Sequence, residues 1–173
     1  LLDHYKIIAI LESRCEPWFE NVSVNTIVTI LERCDRVYDR EQNSVRFVKL
    51  KSSLEEIIPW DIHLESLDRW IGIKKIIQNI ENQSDGSENP CAPTVIETEE
   101  YRIRLMQQKT LREQLNEKEK TVKWGPYLRA PHVFFEILNQ KLERFTLLGK
   151  TGKLKRGGTT RINEFFHLSE STI

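Results

Sequence analysis

Two apolar runs of strand length lie close together near the start of the sequence, and they restrict the fold more than any other feature. Residues 6–11 (KIIAIL) form a short apolar run bounded by polar residues. Residues 24–31 (VNTIVTIL) are rich in β-branched side chains, which suit a pleated, half-buried strand. The stretch between them, 13–21, carries Pro17 and reads as a loop too short for a crossover helix. The two runs are therefore expected to be neighbouring antiparallel strands, with an exposed sheet edge. Residues 44–51 (SVRFVKLK) make a third strand, setting Val45, Phe47 and Lys49 against Arg46, Val48 and Leu50.

Helical signals follow. Ser52 and Ser53 can cap a helix over 54–58, with Glu55 and Glu56 favoured in its first turn and Pro59 stopping it. Over 63–83, Leu64, Leu67, Ile71, Ile76, Ile77 and Ile80 recur at helical spacing, with Gly72 a weak point. Residues 84–93 (SDGSENPCAP) have the composition of a loop or linker. After them, 94–106 reads as one strand, with Tyr101, Ile103 and Leu105 opposite Arg102 and Arg104. A charged, solvated helix is expected over 109–120. A second helix opens at Pro131 and shows a stripe of Val133, Phe134, Ile137 and Leu138. Residues 145–154 read as a strand broken by Gly149 and Gly152, followed by a turn at Gly157-Gly158 and an anchor at Phe165-Phe166. The expected class is α+β: mixed, mainly antiparallel sheet segments with several helices. The expected divisions are 1–83, a linker or loop at 84–93, a connecting unit at 94–143, and 144–173.

Lys plus Arg and Asp plus Glu number 26 each, so net charge points to no partner. The distribution does. Between 144 and 163 stand Arg144, Lys150, Lys153, Lys155, Arg156 and Arg161, without one acid. Such a patch is what a phosphate backbone senses. Three scattered cysteines suit neither a disulfide framework nor a metal site and read as reduced thiols, in keeping with a cytoplasmic setting. No long apolar run suggests a membrane partner. No Gly-rich nucleotide loop, GKS/T loop or HExxH occurs, and the four histidines lack ligand spacing. No residue is assigned a catalytic or metal-binding role.

Two runs differ in kind from the rest. Residues 123–131 (KWGPYLRAP) pack Trp, Tyr, two cations, Gly and two prolines into nine positions, and read as an ordered loop. Trp124, Tyr127 and Pro131 would fill a seam between the first strands and the C-terminal basic unit. Alternatively, the aromatics lie interleaved with Lys123 and Arg129 on a nucleic-acid surface. The residues alone favour the seam. In 149–166, Arg156 and Arg161 with Lys153 and Lys155 can pair with phosphate, while Thr159, Thr160 and Asn163 can hydrogen-bond phosphate or base edges. A solvated surface hairpin fits the same composition.

Taken together, Trp124, Gly125, Tyr127, Leu128, Arg129, Ala130 and Pro131, followed by Arg156, Gly157, Thr159, Thr160, Asn163, Glu164, Phe165 and Phe166, resemble a junction in adenine-N6 DNA methyltransferases of restriction-modification and phage-defence systems. The opening is similar too: Trp18-Phe19 before Val24-Asn25-Thr26 resembles the last two strands of that family's methyltransferase sheet. The chain departs from the family at Thr160-Arg161-Ile162, where an arginine stands in place of a usual glycine. The resemblance implies a fragment of a larger α/β methyltransferase, cut from something longer, running into its DNA target-recognition region. It implies double-stranded DNA and the rest of the methyltransferase chain as partners. It places the S-adenosylmethionine loop and the Asn/Asp-Pro-Pro-Tyr catalytic loop N-terminal to this chain, which has no Pro-Pro pair. The competing reading is a non-catalytic protein-interaction or scaffold domain with no DNA role.

Overall fold

Period-two alternation in the first strand-like segments builds an open, mixed sheet. In the computed structural model, residues 1–15, 26–58, 66–116, 123–141, 144–146 and 148–152 are described. The strands are β1 (Tyr5–Ser13), β2 (Ile27–Arg33), β3 (Ser44–Leu50), β4 (Thr94–Glu97) and β5 (Tyr101–Gln107), ordered β2-β1-β3-β5-β4. As expected, β1 and β2 pair antiparallel, from Tyr5 opposite Arg33 to Glu12 opposite Ile27. β3 joins β1 in parallel, and β5 joins β3 antiparallel. With the helices below, the class is α+β. The chain divides into two units, Leu1–Gln140 and Lys141–Ile173. The whole sheet lies in the first.

The sheet buries both faces. Val45, Phe47 and Met106 pack with Ile7 and Ile10 on one; Val48, Leu50, Ile103 and Leu105 pack with Ile80 on the other. Ile7 and Ile10, three apart, share a face because a bulge between Ile7 and Ala9 inserts a residue and inverts the parity. A buried amide cluster fixes that bulge. Gln108 Oε1 accepts from the Ile7 N–H and from Asn43 Nδ2, while Gln108 Nε2 donates to the Tyr5 carbonyl, all at 2.8–3.0 Å.

Helices α1 (Val37–Glu41), α2 (Leu54–Ile57) and α3 (Ser66–Glu81) follow the strand connections. α2 carries the expected serine cap: Ser53 and Glu56 cap each other's backbone reciprocally. α3 is anchored at its end, where Arg46 donates to the Ile80 and Glu81 carbonyls at 2.9 and 2.7 Å. Its expected stripe is corrected: Ile80 is buried, but Leu67, Ile71 and Ile77 face solvent. Only the end tied by Arg46 reaches the sheet. The 84–93 loop runs along β5 within the same unit. Ser87 bridges Met106, and a Cβ on Gly86 would stand 2.7 Å from the Met106 carbonyl carbon, an approach only glycine permits.

Four further expectations are corrected. Residues 94–106 form a hairpin rather than one strand: the Thr98 hydroxyl accepts from the Tyr101 N–H and closes a turn between β4 and β5. Helix α4 (Gln108–Asn116) is charged as expected, but its own Leu111 is fully buried. On α6 (His132–Lys141), Val133, Phe134 and Ile137 are exposed and Phe135 is buried. The Phe135 ring lies 5.7 Å from that of Tyr127 and 4.7 Å from the Arg104 guanidinium, an anchor that helical spacing cannot reveal. In the second unit, the run at 145–154, expected as a strand, holds the single helical turn α7 (Leu148–Thr151), its four residues lacking any period-two pattern. Gly157, Gly158, Phe165 and Phe166 lie outside the described residues.

Tyr127 is 6% exposed, its ring 4.9 Å from Phe47. Tyr127→Ala is expected to cost about 3–5 kcal/mol of unfolding free energy in urea titrations. Burial pushes the Tyr127 phenol above its ordinary pKa of 10.0, against a smaller opposing effect of the Gln114 hydrogen bond. The folded chain thus keeps this proton after the unfolded chain has lost it. The stability advantage of wild type over Tyr127→Phe is therefore constant below about pH 10 and shrinks as pH rises above it. An advantage that grew above pH 10 would contradict this.

Candidate nucleic-acid interface

The segment 123–131, expected as a loop, is a helical turn, α5 (Gly125–Arg129). Proline at the start of a helix loses nothing, because the N–H it lacks has no helical partner there. Ala130 then turns extended ahead of Pro131 and ends the helix. The turn is fixed to the sheet by arginines. Arg104 donates to the Tyr127 and Ala130 carbonyls at 2.8 and 2.6 Å, and more weakly to that of Pro126 at 3.4 Å. Arg102 donates to the Leu128 carbonyl at 2.7 Å. The Tyr127, Leu128 and Ala130 carbonyls lie where a helix end leaves acceptors without helical partners, while that of Pro126 also accepts from the Ala130 N–H. Arg104 is fully buried, and burial, with the Arg102 charge second, pushes its pKa down to about 10. It remains a cation at neutral pH.

Arg129 reaches back in the other direction. Its Nε and Nη2 meet Glu12 Oε1 at 2.7 and 2.6 Å. The hydrogen bond first and the charge second hold the Arg129 pKa above its ordinary value. Glu12 itself is 2% exposed, and its other oxygen lies 3.9 Å from Lys49 Nζ.

The strand register then assembles a row. Glu12 on β1 stands opposite Lys49 on β3, Lys49 opposite Arg102 on β5, and Arg102 opposite Glu97 on β4. Beside this row a hollow of about 360 Å³ is lined by Arg14, Lys49, Lys51, Glu97, Arg102, Arg129 and Pro131. Lys51 is held by Glu97 at 3.2 Å and by the Thr98 carbonyl. Among the described residues the five cations meet Glu97 on the wall and Glu12 beneath, an excess of three positive charges. Lys49 registers this: burial lowers its pKa, Glu12 opposes, and Arg102, Arg14 and Arg129 lower it further.

Of the expected interface residues, Arg129 lines this hollow and Lys123 is exposed on the segment leading into α5. Lys153, Lys155, Arg156, Thr159, Thr160, Arg161 and Asn163 lie outside the described residues. Arg144 and Lys150 of the same basic window are exposed. Among the expected seam residues, Tyr127 fills the space between β3 and α6, Trp124 is half-buried against that core, and Pro131 borders the hollow. Sequence reasoning missed Glu12, Arg14, Lys49, Lys51 and Arg102. Of these, Lys49 carried a signal in the sequence, its shared strand face with Val45 and Phe47. Among the described residues, no group of three metal-ligating side chains exists, and no helix is long and apolar enough to cross a membrane. No protein-family model, curated protein or solved structure matches this chain.

Proposed function

We propose that this chain is the DNA-binding and structural portion of a site-specific adenine-N6 DNA methyltransferase, without the methyl-donor or catalytic motifs. One observation carries the reading. The Trp124–Pro131 motif, which bears the resemblance, folds onto the sheet so that its Arg129 joins four other cations around one hollow. Clustered, partly neutralised cations are the chemistry that meets a phosphate backbone. The same hollow suits S-adenosylmethionine poorly, because a sulfonium cation would enter a site already in excess of positive charge.

The test is fluorescence anisotropy with duplex DNA at several salt concentrations. Each phosphate neutralised contributes a slope of about −0.9 in log K against log salt. Replacing both Arg156 and Arg161 by Ala is expected to weaken binding to all sequences alike and to flatten the slope by about two units. Absence of salt-dependent binding in the wild type would refute the reading.

A scaffold role is favoured by a different observation. Ile27, Val28, Ile30 and Leu31 are exposed along the edge strand β2, as are Leu67, Trp70 and Ile71 on α3. Exposed apolar surface of this kind marks protein contacts. The two readings separate on DNA binding alone.

A further inference from the structure

We infer that the hollow beside the Glu12–Lys49–Arg102–Glu97 row is a discrete phosphate site, built to hold one phosphoryl group, rather than part of a diffuse basic surface. The inference rests on the nucleic-acid reading for the source of that group, a backbone phosphate. The row itself is the first argument. Lys49 and Arg102 stand directly opposite each other on neighbouring strands, with the carboxylates only at the ends. Like charges so placed destabilise a sheet, and an anion over both reverses that cost.

Preorganisation is the second argument. Arg102 is tied to the Leu128 carbonyl, Arg129 to Glu12 and Lys51 to Glu97, so three of the five cations already have fixed positions. A ligand therefore orders little on entry, which is what separates a site from a patch. Shape is the third. A volume of about 360 Å³ falls at the small end of ligand pockets, roughly 300–1,000 Å³. That accommodates a phosphoryl group with the sugar that bears it, and every described charged side chain on its wall except Glu97 is a cation. Burial and the neighbouring arginines hold the Lys49 ammonium below its ordinary pKa, so a bound anion must raise it.

The experiment is NMR of the full chain, isotope-labelled at lysine and arginine side chains, titrated with inorganic phosphate and, separately, with sodium chloride of matched ionic strength. Saturable shifts confined to Lys49, Lys51, Arg14, Arg102 and Arg129, with an upward move of the Lys49 pKa, are expected for phosphate and not for chloride. Arg14 is exposed and lies beyond the last residue of β1, so Arg14→Glu should fold normally and weaken phosphate binding by about tenfold or more. Lys49→Met provides a second, more central variant with the same expected direction. A duplex lacking terminal phosphates should displace the inorganic ion if the source is the DNA backbone; failure to displace it would assign the site to a free phosphomonoester instead. Phosphate shifts no larger than those of chloride would overturn the inference. If the chain then still bound DNA with a steep salt dependence, the nucleic-acid reading would stand without this site. Saturable phosphate binding with no DNA binding would leave the site and remove that reading.

Discussion

Arg104→Ala is expected to lower the unfolding free energy by about 3–5 kcal/mol, since it opens a cavity and strands helix-end carbonyls at once. At this chain length that is a fall of about 10 °C in Tm. The Arg104 side chain is fully buried and donates to three carbonyls of the 123–131 segment while lying over the Phe135 ring. Burying a cation is costly, as its lowered pKa shows, and the guanidinium fork offsets that cost by meeting several acceptors. Lysine has no such fork, so Arg104→Lys should recover little of the loss. Limited proteolysis should find new cleavage near Trp124–Pro131 in the Ala variant, because the turn loses its tether. Wild-type stability in Arg104→Ala, measured by urea unfolding, would mean that the turn is held by its apolar contacts alone.

Arg129→Ala is expected to cost about 3 kcal/mol, more than its exposed position suggests. Arg129 is 55% exposed at its side chain, but its partner Glu12 is 3% exposed and, among the described residues, would keep just the looser Lys49 contact. The penalty belongs to the stranded carboxylate. Glu12→Gln in the same chain should therefore recover most of the loss, and a double-mutant cycle should give a coupling of about 1–3 kcal/mol. Independent, additive effects would show that the pair contributes nothing. The cycle also separates two roles of Arg129. Glu12→Gln alone removes one negative charge from beneath the hollow, so phosphate affinity should rise even as stability falls. If Arg129 served only as a phosphate ligand, stability would not move in either variant.

Residue pattern made much of the sheet readable in advance because alternation and capping are local. The antiparallel pairing of β1 with β2, the shared face of Val45, Phe47 and Lys49, and the serine cap before α2 are all legible in short stretches of sequence. The 123–131 run reads as a loop in the sequence, because the rule that admits proline in a first turn depends on where the helix begins. Phe135 lies off the expected stripe because an apolar stripe says which residues could be buried, not which face meets the sheet.

The hollow lay beyond the reach of local pattern for a stronger reason. Glu12 and Arg129 are 117 positions apart, and the charged row needs three strand pairings in one register, one of them parallel. A slip of one residue in any pairing would turn one of these side chains to the other face. Sequence alone determined that Lys49 shares a strand face with Val45 and Phe47, and that Arg102 and Arg104 lie opposite Tyr101, Ile103 and Leu105. Only the tertiary structure decided that Lys49 and Arg102 face each other, that Glu12 is buried, and that Arg129 returns to neutralise it, because those facts are set by chain topology and by the desolvation of charges that meet only on folding.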